Sequence, residues 1–184
     1  MQTGKLVFYV GLVVLAGIGF YLGTSWRGQR QPEVIQQGIE YPPSPLIVDS
    51  DFPDAIVVDA DSVYTTADLI GDSGAVVMFL EVGCPPCSLM ALNWSEYLRA
   101  GEVPASVHVF GISSMRREIV ADWRERLNID FPIYSDSTRF YDLQFGLNDF
   151  PQRIEVGPSH MIRYHTYDAS EKPDAERLRA LADK

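Results

Sequence analysis

Hydrophobic positions along this chain change period several times, and each change marks an element. Ala75, Val76, Val77, Met78, Phe79 and Leu80 form an unbroken apolar run, the pattern of a strand buried on both faces. Val107, Val109, Phe110 and Ile112 form a second, in which His108 is a strand side chain with a local partner rather than a ligand. Between them Leu89, Met90, Leu92, Trp94, Tyr97 and Leu98 predict a helix over 88–99, stopped by Gly101. Ile119, Val120, Trp123 and Leu127 recur at helical spacing and predict a helix over 115–127, with Ser113 or Ser114 as its N-cap and Asn128 closing it. Upstream, 55–58 and 63–65 are β-formers around an Asp-rich turn, which predicts an N-terminal hairpin. Downstream, 131–134 is short and extended, and Asp136 or Ser137 caps a short helix ending near Gly146. Residues 152–156 and 161–165 alternate apolar and polar as a second hairpin. Pro173 sits in the first turn of a final helix whose Leu178, Leu181 and Ala182 share a face. Two strands, then strand–helix twice, then a hairpin and a helix make an α/β fold, a mixed sheet flanked by helices.

At the junction of the first apolar run and its helix stand the chain's two cysteines, in Gly83-Cys84-Pro85-Pro86-Cys87. A helix start offers unpaired N–H groups and the positive end of the macrodipole. Both favour a thiolate at Cys84, and thiols in such motifs fall to roughly 3.5–7.5. Pro85 and Pro86 fix φ and stiffen the loop, presenting Cys84 while Cys87 sits deeper in the first turn. Three readings stand: two buried small hydrophobes, half of a zinc site completed by His160 and His165, or a redox dithiol. The strand–motif–helix context favours the dithiol. The zinc spacing is far longer than a compact finger, and His160 belongs to an exposed turn.

Residues 6–26 carry no charge, and about 20 apolar residues span a bilayer. Tyr21 and Trp26 are placed as interfacial aromatics, so 1–27 is expected to be an uncleaved membrane anchor, a cleaved signal peptide being the alternative. Gly19 and Gly23 form a GxxxG that fits a helix–helix contact. Lys5 on one side and Arg27 and Arg30 on the other nearly balance, so charge does not orient the span. Residues 28–50, rich in Gln and Pro, are expected to be a linker, although 46–48 also suits an ordered strand, and 51–184 the globular domain. The first thirty residues hold three cations and no acid, leaving 12 positive against 25 negative residues and a net −13. Such a body repels nucleic acid and anionic lipid and suits a basic or neutral protein partner.

Several of these segments together resemble a known family. The hairpin, the strand into Cys84-Pro85-Pro86-Cys87, residues 107–113 and 129–136, and Phe145-Gly146-Leu147 leading to Phe150-Pro151 resemble the thioredoxin-like superfamily in its membrane-anchored TlpA/ResA-type form. The resemblance implies a thioredoxin-like fold with an N-terminal hairpin and an N-terminal transmembrane helix. It implies that Pro151 is cis and packs beside the cysteines, letting the Phe150 backbone pair with an extended substrate. Substrate contacts would come from Gly83, Pro85, Pro86, Phe150 and Pro151, and the only redox group would be the Cys84–Cys87 disulfide, with no further cofactor.

This sequence departs from the family where Gly83 replaces a Trp, Met78 a buried Asp and Met90 a Glu. Both usual proton acceptors are therefore missing, and Glu81 is the candidate replacement, a solvated or salt-bridged Glu being the alternative. The implied activity is thiol–disulfide exchange with protein disulfide or dithiol substrates, recharged by a membrane reductant. The implied location is the cytoplasmic membrane, single-pass, with the domain on the periplasmic or extracellular side. Rival functions are a thioredoxin-like metal- or partner-binding module without turnover, and a peroxiredoxin-like peroxide reductase.

Overall fold

A computed structural model describes residues 46–59, 61–147 and 149–182. The expected anchor at 1–27 and the linker up to residue 45 lie outside the described residues. Among those described, no helix is long and apolar enough to cross a membrane.

Seven strands form one mixed sheet in the order β2-β1-β5-β4-β3-β6-β7. The strands are β1 (Ile56–Val58), β2 (Val63–Thr65), β3 (Ala75–Phe79), β4 (His108–Ser113), β5 (Ile133–Ser135), β6 (Gln152–Val156) and β7 (Ile162–Thr166). The helices are α1 (Thr66–Ile70), α2 (Pro85–Arg99), α3 (Arg117–Leu127), α4 (Phe140–Phe145) and α5 (Ala175–Ala182). β3, β4 and β5 run parallel, while β6 pairs antiparallel to β3 with Phe79 opposite Gln152. The start of β6 therefore lies beside the end of β3, at the edge where parallel strands hand over to their helices. Ligand sites in such sheets gather at that edge.

The unbroken apolar run of β3 is explained by its two faces. Ala75, Val77 and Phe79 enter one core with Phe52, Phe110, Tyr141 and Ile154. Val76, Met78 and Leu80 enter the other with Cys87, Met90, Trp94, Trp123 and Leu178. Every residue of β3 is buried, so the two-residue period of the strand sorts one hydrophobic sequence into two cores.

The expected linker boundary and the expected cap of the second long helix need correction. The linker was expected to run to residue 50, but Leu46 is 1% exposed in the first core. The Asp49 N–H donates to the Ile162 carbonyl and the Ile162 N–H to the Ser50 carbonyl, so the folded unit includes residues 46–50. Helix α3 begins at Arg117, with Arg116 as an N-cap that offers no side-chain bond, because both expected caps are engaged elsewhere. Ser113 ends β4, and Ser114 bonds Glu81. β6 alternates apolar and polar residues, yet all five are buried. β6 is an interior strand, and its polar face is covered. There the Arg153 guanidinium lies over Trp94 at 5.2 Å and over Tyr164 at 5.4 Å. Asn128 does close α3 in the left-handed region, with φ 52°.

Candidate active site

The end of β3 leads into a turn built by Glu81, Val82, Gly83 and Cys84, closed by the Cys84 N–H donating to the Glu81 carbonyl at 3.3 Å. Gly83 stands third with φ +86° and open space around it. Its backbone conformation, as a type II turn requires, calls for glycine there. The turn is fixed to the neighbouring strand by its first residue, since Glu81 Oε1 accepts from the Ser114 N–H at 3.0 Å and from its hydroxyl at 2.6 Å.

Cys84 is the N-cap of α2, in extended backbone, with Pro85 and Pro86 in the first two helical positions. Neither proline has an N–H. The first amide the helix can offer is therefore that of Cys87, and it donates to Cys84 Sγ at 3.2 Å. The helix start thus points a single backbone donor at a single sulfur, an arrangement that favours the thiolate once the pair is reduced. In this structure the two sulfurs are bonded to each other. Cys84 is half-buried and Cys87 fully buried.

The third wall comes from the segment before β6. The Phe150–Pro151 peptide is cis, and the Phe150 carbonyl oxygen lies 4.0 Å from Cys84 Sγ. Pro151 is buried, Phe150 is half-buried, and Gly83, Pro85 and Pro86 are exposed around the sulfurs. The structure thus gathers Cys84, Cys87, Gly83, Pro85, Pro86, Phe150 and Pro151 at one edge of the sheet.

It does not gather the zinc set. Among the described residues no group of three or more His, Cys, Asp or Glu side chains is placed to hold a metal ion. His160 occupies the β6–β7 turn with φ +59°, and His165 on β7 is bonded to Gln152. Ser114 and Gln152 were missed from the sequence. A carboxylate just past the end of a buried strand announces that a partner exists, but nothing in the spacing says it is Ser114.

A family model described as the AhpC/TSA family matches residues 48–165. The chain belongs to the AhpC/TSA family. This is a thioredoxin-fold family of redox enzymes, and the matched stretch contains both Cys84 and Cys87. No curated protein matches the sequence.

Solved structures share the fold of this AhpC/TSA chain at low identity. A proposed thiol:disulfide interchange protein DsbE from Chlorobium tepidum is 14% identical with a TM-score of 0.59, over 73% of this chain and 94% of that one. StoA from Bacillus subtilis is 15% identical with a TM-score of 0.55, over 71% and 97%. The peroxidoxin BcpB from Mycobacterium tuberculosis is 18% identical with a TM-score of 0.57, over 73% and 94%.

Two expected results follow from this geometry. In Pro86→Ala the helix gains a second N–H beside Cys84, which stabilises the thiolate and hence the reduced pair. A charge-assisted hydrogen bond of about 1.4 kcal/mol raises a two-electron potential by about 30 mV, which equilibration with glutathione measures. Glu81→Ala releases the turn and lowers the turnover of the Cys84–Cys87 pair about tenfold at every pH, a loss of about 1.4 kcal/mol, the scale of a hydrogen bond to a charged group. Glu81→Gln keeps an oxygen for Ser114 and retains most of the rate with an unshifted pH profile. A profile that moves in Glu81→Gln would return Glu81 to the role of proton acceptor.

Proposed function

We propose that the chain is a thiol–disulfide oxidoreductase that reduces disulfides of specific protein partners through Cys84 and Cys87. The observation that carries this reading is the asymmetric pair: a half-buried Cys84 bonded to a fully buried Cys87, with the Phe150 carbonyl beside the outer sulfur. In the reduced protein the Cys84 thiolate attacks a partner disulfide. One Cys84–partner bond forms, and the partner's other sulfur leaves as a thiolate. Cys87, losing its proton, then attacks Cys84 Sγ, forms the Cys84–Cys87 bond and expels the partner's second thiolate. Two electrons have passed to the partner, and a membrane dithiol reductant returns them. Gly83, Pro85, Pro86, Phe150 and Pro151 form the surface that the partner's chain meets, with Phe150 offering backbone to an extended segment. The charge-free stretch at 6–26 supports a single-pass anchor in the cytoplasmic membrane, with the domain on the periplasmic or extracellular side, where disulfides persist.

The AhpC/TSA match and the likeness to BcpB support a second reading, peroxide reduction by the same pair. There the Cys84 thiolate attacks a peroxide oxygen, becomes a sulfenic acid and releases hydroxide or an alkoxide. Cys87 then displaces water from it to form the same disulfide. One experiment separates them. The reduced protein is mixed with a disulfide-bonded peptide or with hydrogen peroxide at equal concentration, and formation of the Cys84–Cys87 bond is timed. Faster oxidation by the peptide disulfide is expected. Faster oxidation by peroxide establishes the second reading in its place.

A further inference from the structure

Behind the Phe150 carbonyl lies a set of polar side chains that the exchange steps do not use. Gln152 is 1% exposed. Its Nε2 donates to the Asp149 carbonyl at 2.7 Å, and its Oε1 faces His165 Nε2 at 3.0 Å. A backbone carbonyl only accepts, so the Gln152 atom turned to Asp149 must be the amide nitrogen. The atom turned to His165 is then the amide oxygen, and it needs a donor. The ring also hydrogen-bonds the Leu46 backbone, a contact that favours its charged form and is therefore one the ring donates. With Nε2 given to Gln152, that bond falls to Nδ1.

The imidazole thus stands between two acceptors, and only the ring with both nitrogens protonated satisfies both. Burial acts in the opposite direction and holds His165 below the ordinary histidine range, against the Leu46 bond. A neutral ring keeps one N–H and turns a lone pair toward the other oxygen. The groups around it do not compensate. Ile154 lies opposite on β6, and the Tyr167 ring is 4.8 Å away. The charged group near Tyr167 is Asp149, which belongs to the same turn.

We propose that His165 is a positioning residue for the exchange site, holding through Gln152 the turn at 149–151 that places the Phe150 carbonyl against Cys84. Protonated, the ring donates to Gln152 and the turn is pinned from Phe150 back to β7. Neutral, the ring keeps its one N–H on Nδ1 toward Leu46 and turns a lone pair to the Gln152 oxygen; Gln152 is released and the wall beside Cys84 loosens. The proposal rests on the exchange reading for its use, but its first measurement does not.

The test follows the His165 ring and the Gln152 side-chain amide by NMR in the full-length protein across pH 4 to 8. Both sets of signals, with the Phe150 amide, are expected to move with one midpoint. In Gln152→Glu the carboxylate keeps an acceptor and adds charge, so the His165 midpoint moves up. A ring that titrates while the Gln152 and Phe150 signals stay still overturns the proposal, as does a midpoint unmoved in Gln152→Glu. The second measurement compares exchange rates of wild type and His165→Gln, whose side chain donates at every pH. Their ratio should change about threefold across the midpoint, the net worth of one hydrogen bond, and a flat ratio also overturns the proposal. If the protein reduces peroxide rather than disulfides, the NMR result still decides the positioning role, and only the exchange reading fails.

Discussion

Cys87→Ser turns the protein from a catalyst into a trap. Cys84 still attacks a disulfide, but the sulfur that would release the captured partner is gone, so a covalent Cys84–partner complex accumulates. It survives gel electrophoresis without reductant and disappears with it. Cys84→Ser does the reverse: no complex forms, and reduction of a model disulfide falls at least about a thousandfold, as for loss of any covalent nucleophile. The asymmetry follows from burial. Cys87, in the first turn of α2, is fully buried, so it cannot take over when Cys84 is removed. Full activity in Cys84→Ser would end the proposed chemistry. Complexes formed equally by the two single variants would show that both sulfurs are open to partners.

Glu155→Ala is expected to destabilise the fold by about 3–5 kcal/mol, the range found when a buried ion pair loses one member. Glu155 and Arg153 are both fully buried. Arg177 meets Glu155 through its Nε and Nη2 at 2.6 and 3.0 Å, and Arg153 meets Glu171 at 3.0 Å. Two cations and two carboxylates therefore balance between β6, α5 and the segment leading into α5. Without Glu155 the cluster holds one uncompensated positive charge, and the Arg153 Nε already has no hydrogen-bond partner. The double variant Arg153→Met with Glu155→Leu restores balance, leaving Arg177 with Glu171. It should recover most of the loss in urea unfolding, because apolar replacement of a whole buried pair is often neutral or stabilising. A double variant as unstable as the single would place the effect in packing under Trp94 rather than in charge.

These two predictions differ in how far the sequence reaches them. Cys84, Cys87 and the strand and helix around them follow from local pattern, because an apolar run, two prolines and a helical stripe each act over a few residues. The Phe150–Pro151 segment is 66 residues from Cys84 in the chain and was reached only through family resemblance. The Arg153–Glu155–Glu171–Arg177 cluster was not reached at all. Alternation in 152–156 is the signature of a half-exposed strand, and nothing local says that Trp94 and the approach to α5 cover the polar face. Ser114 was misplaced for a related reason. A serine before a helical stripe is read as its cap, and the carboxylate that claims it comes from the turn after β3, 33 residues earlier.

The concealment of Cys87 has a use at the bench. In a chain carrying Cys84→Ser, one thiol remains, and it is buried within the first turn of α2. A water-soluble alkylating reagent reaches it only when that first turn opens, so the labelling rate is a clock for local opening. Run at rising urea, the clock would tell whether the redox end of the domain frays ahead of the rest or waits for the whole sheet to come apart.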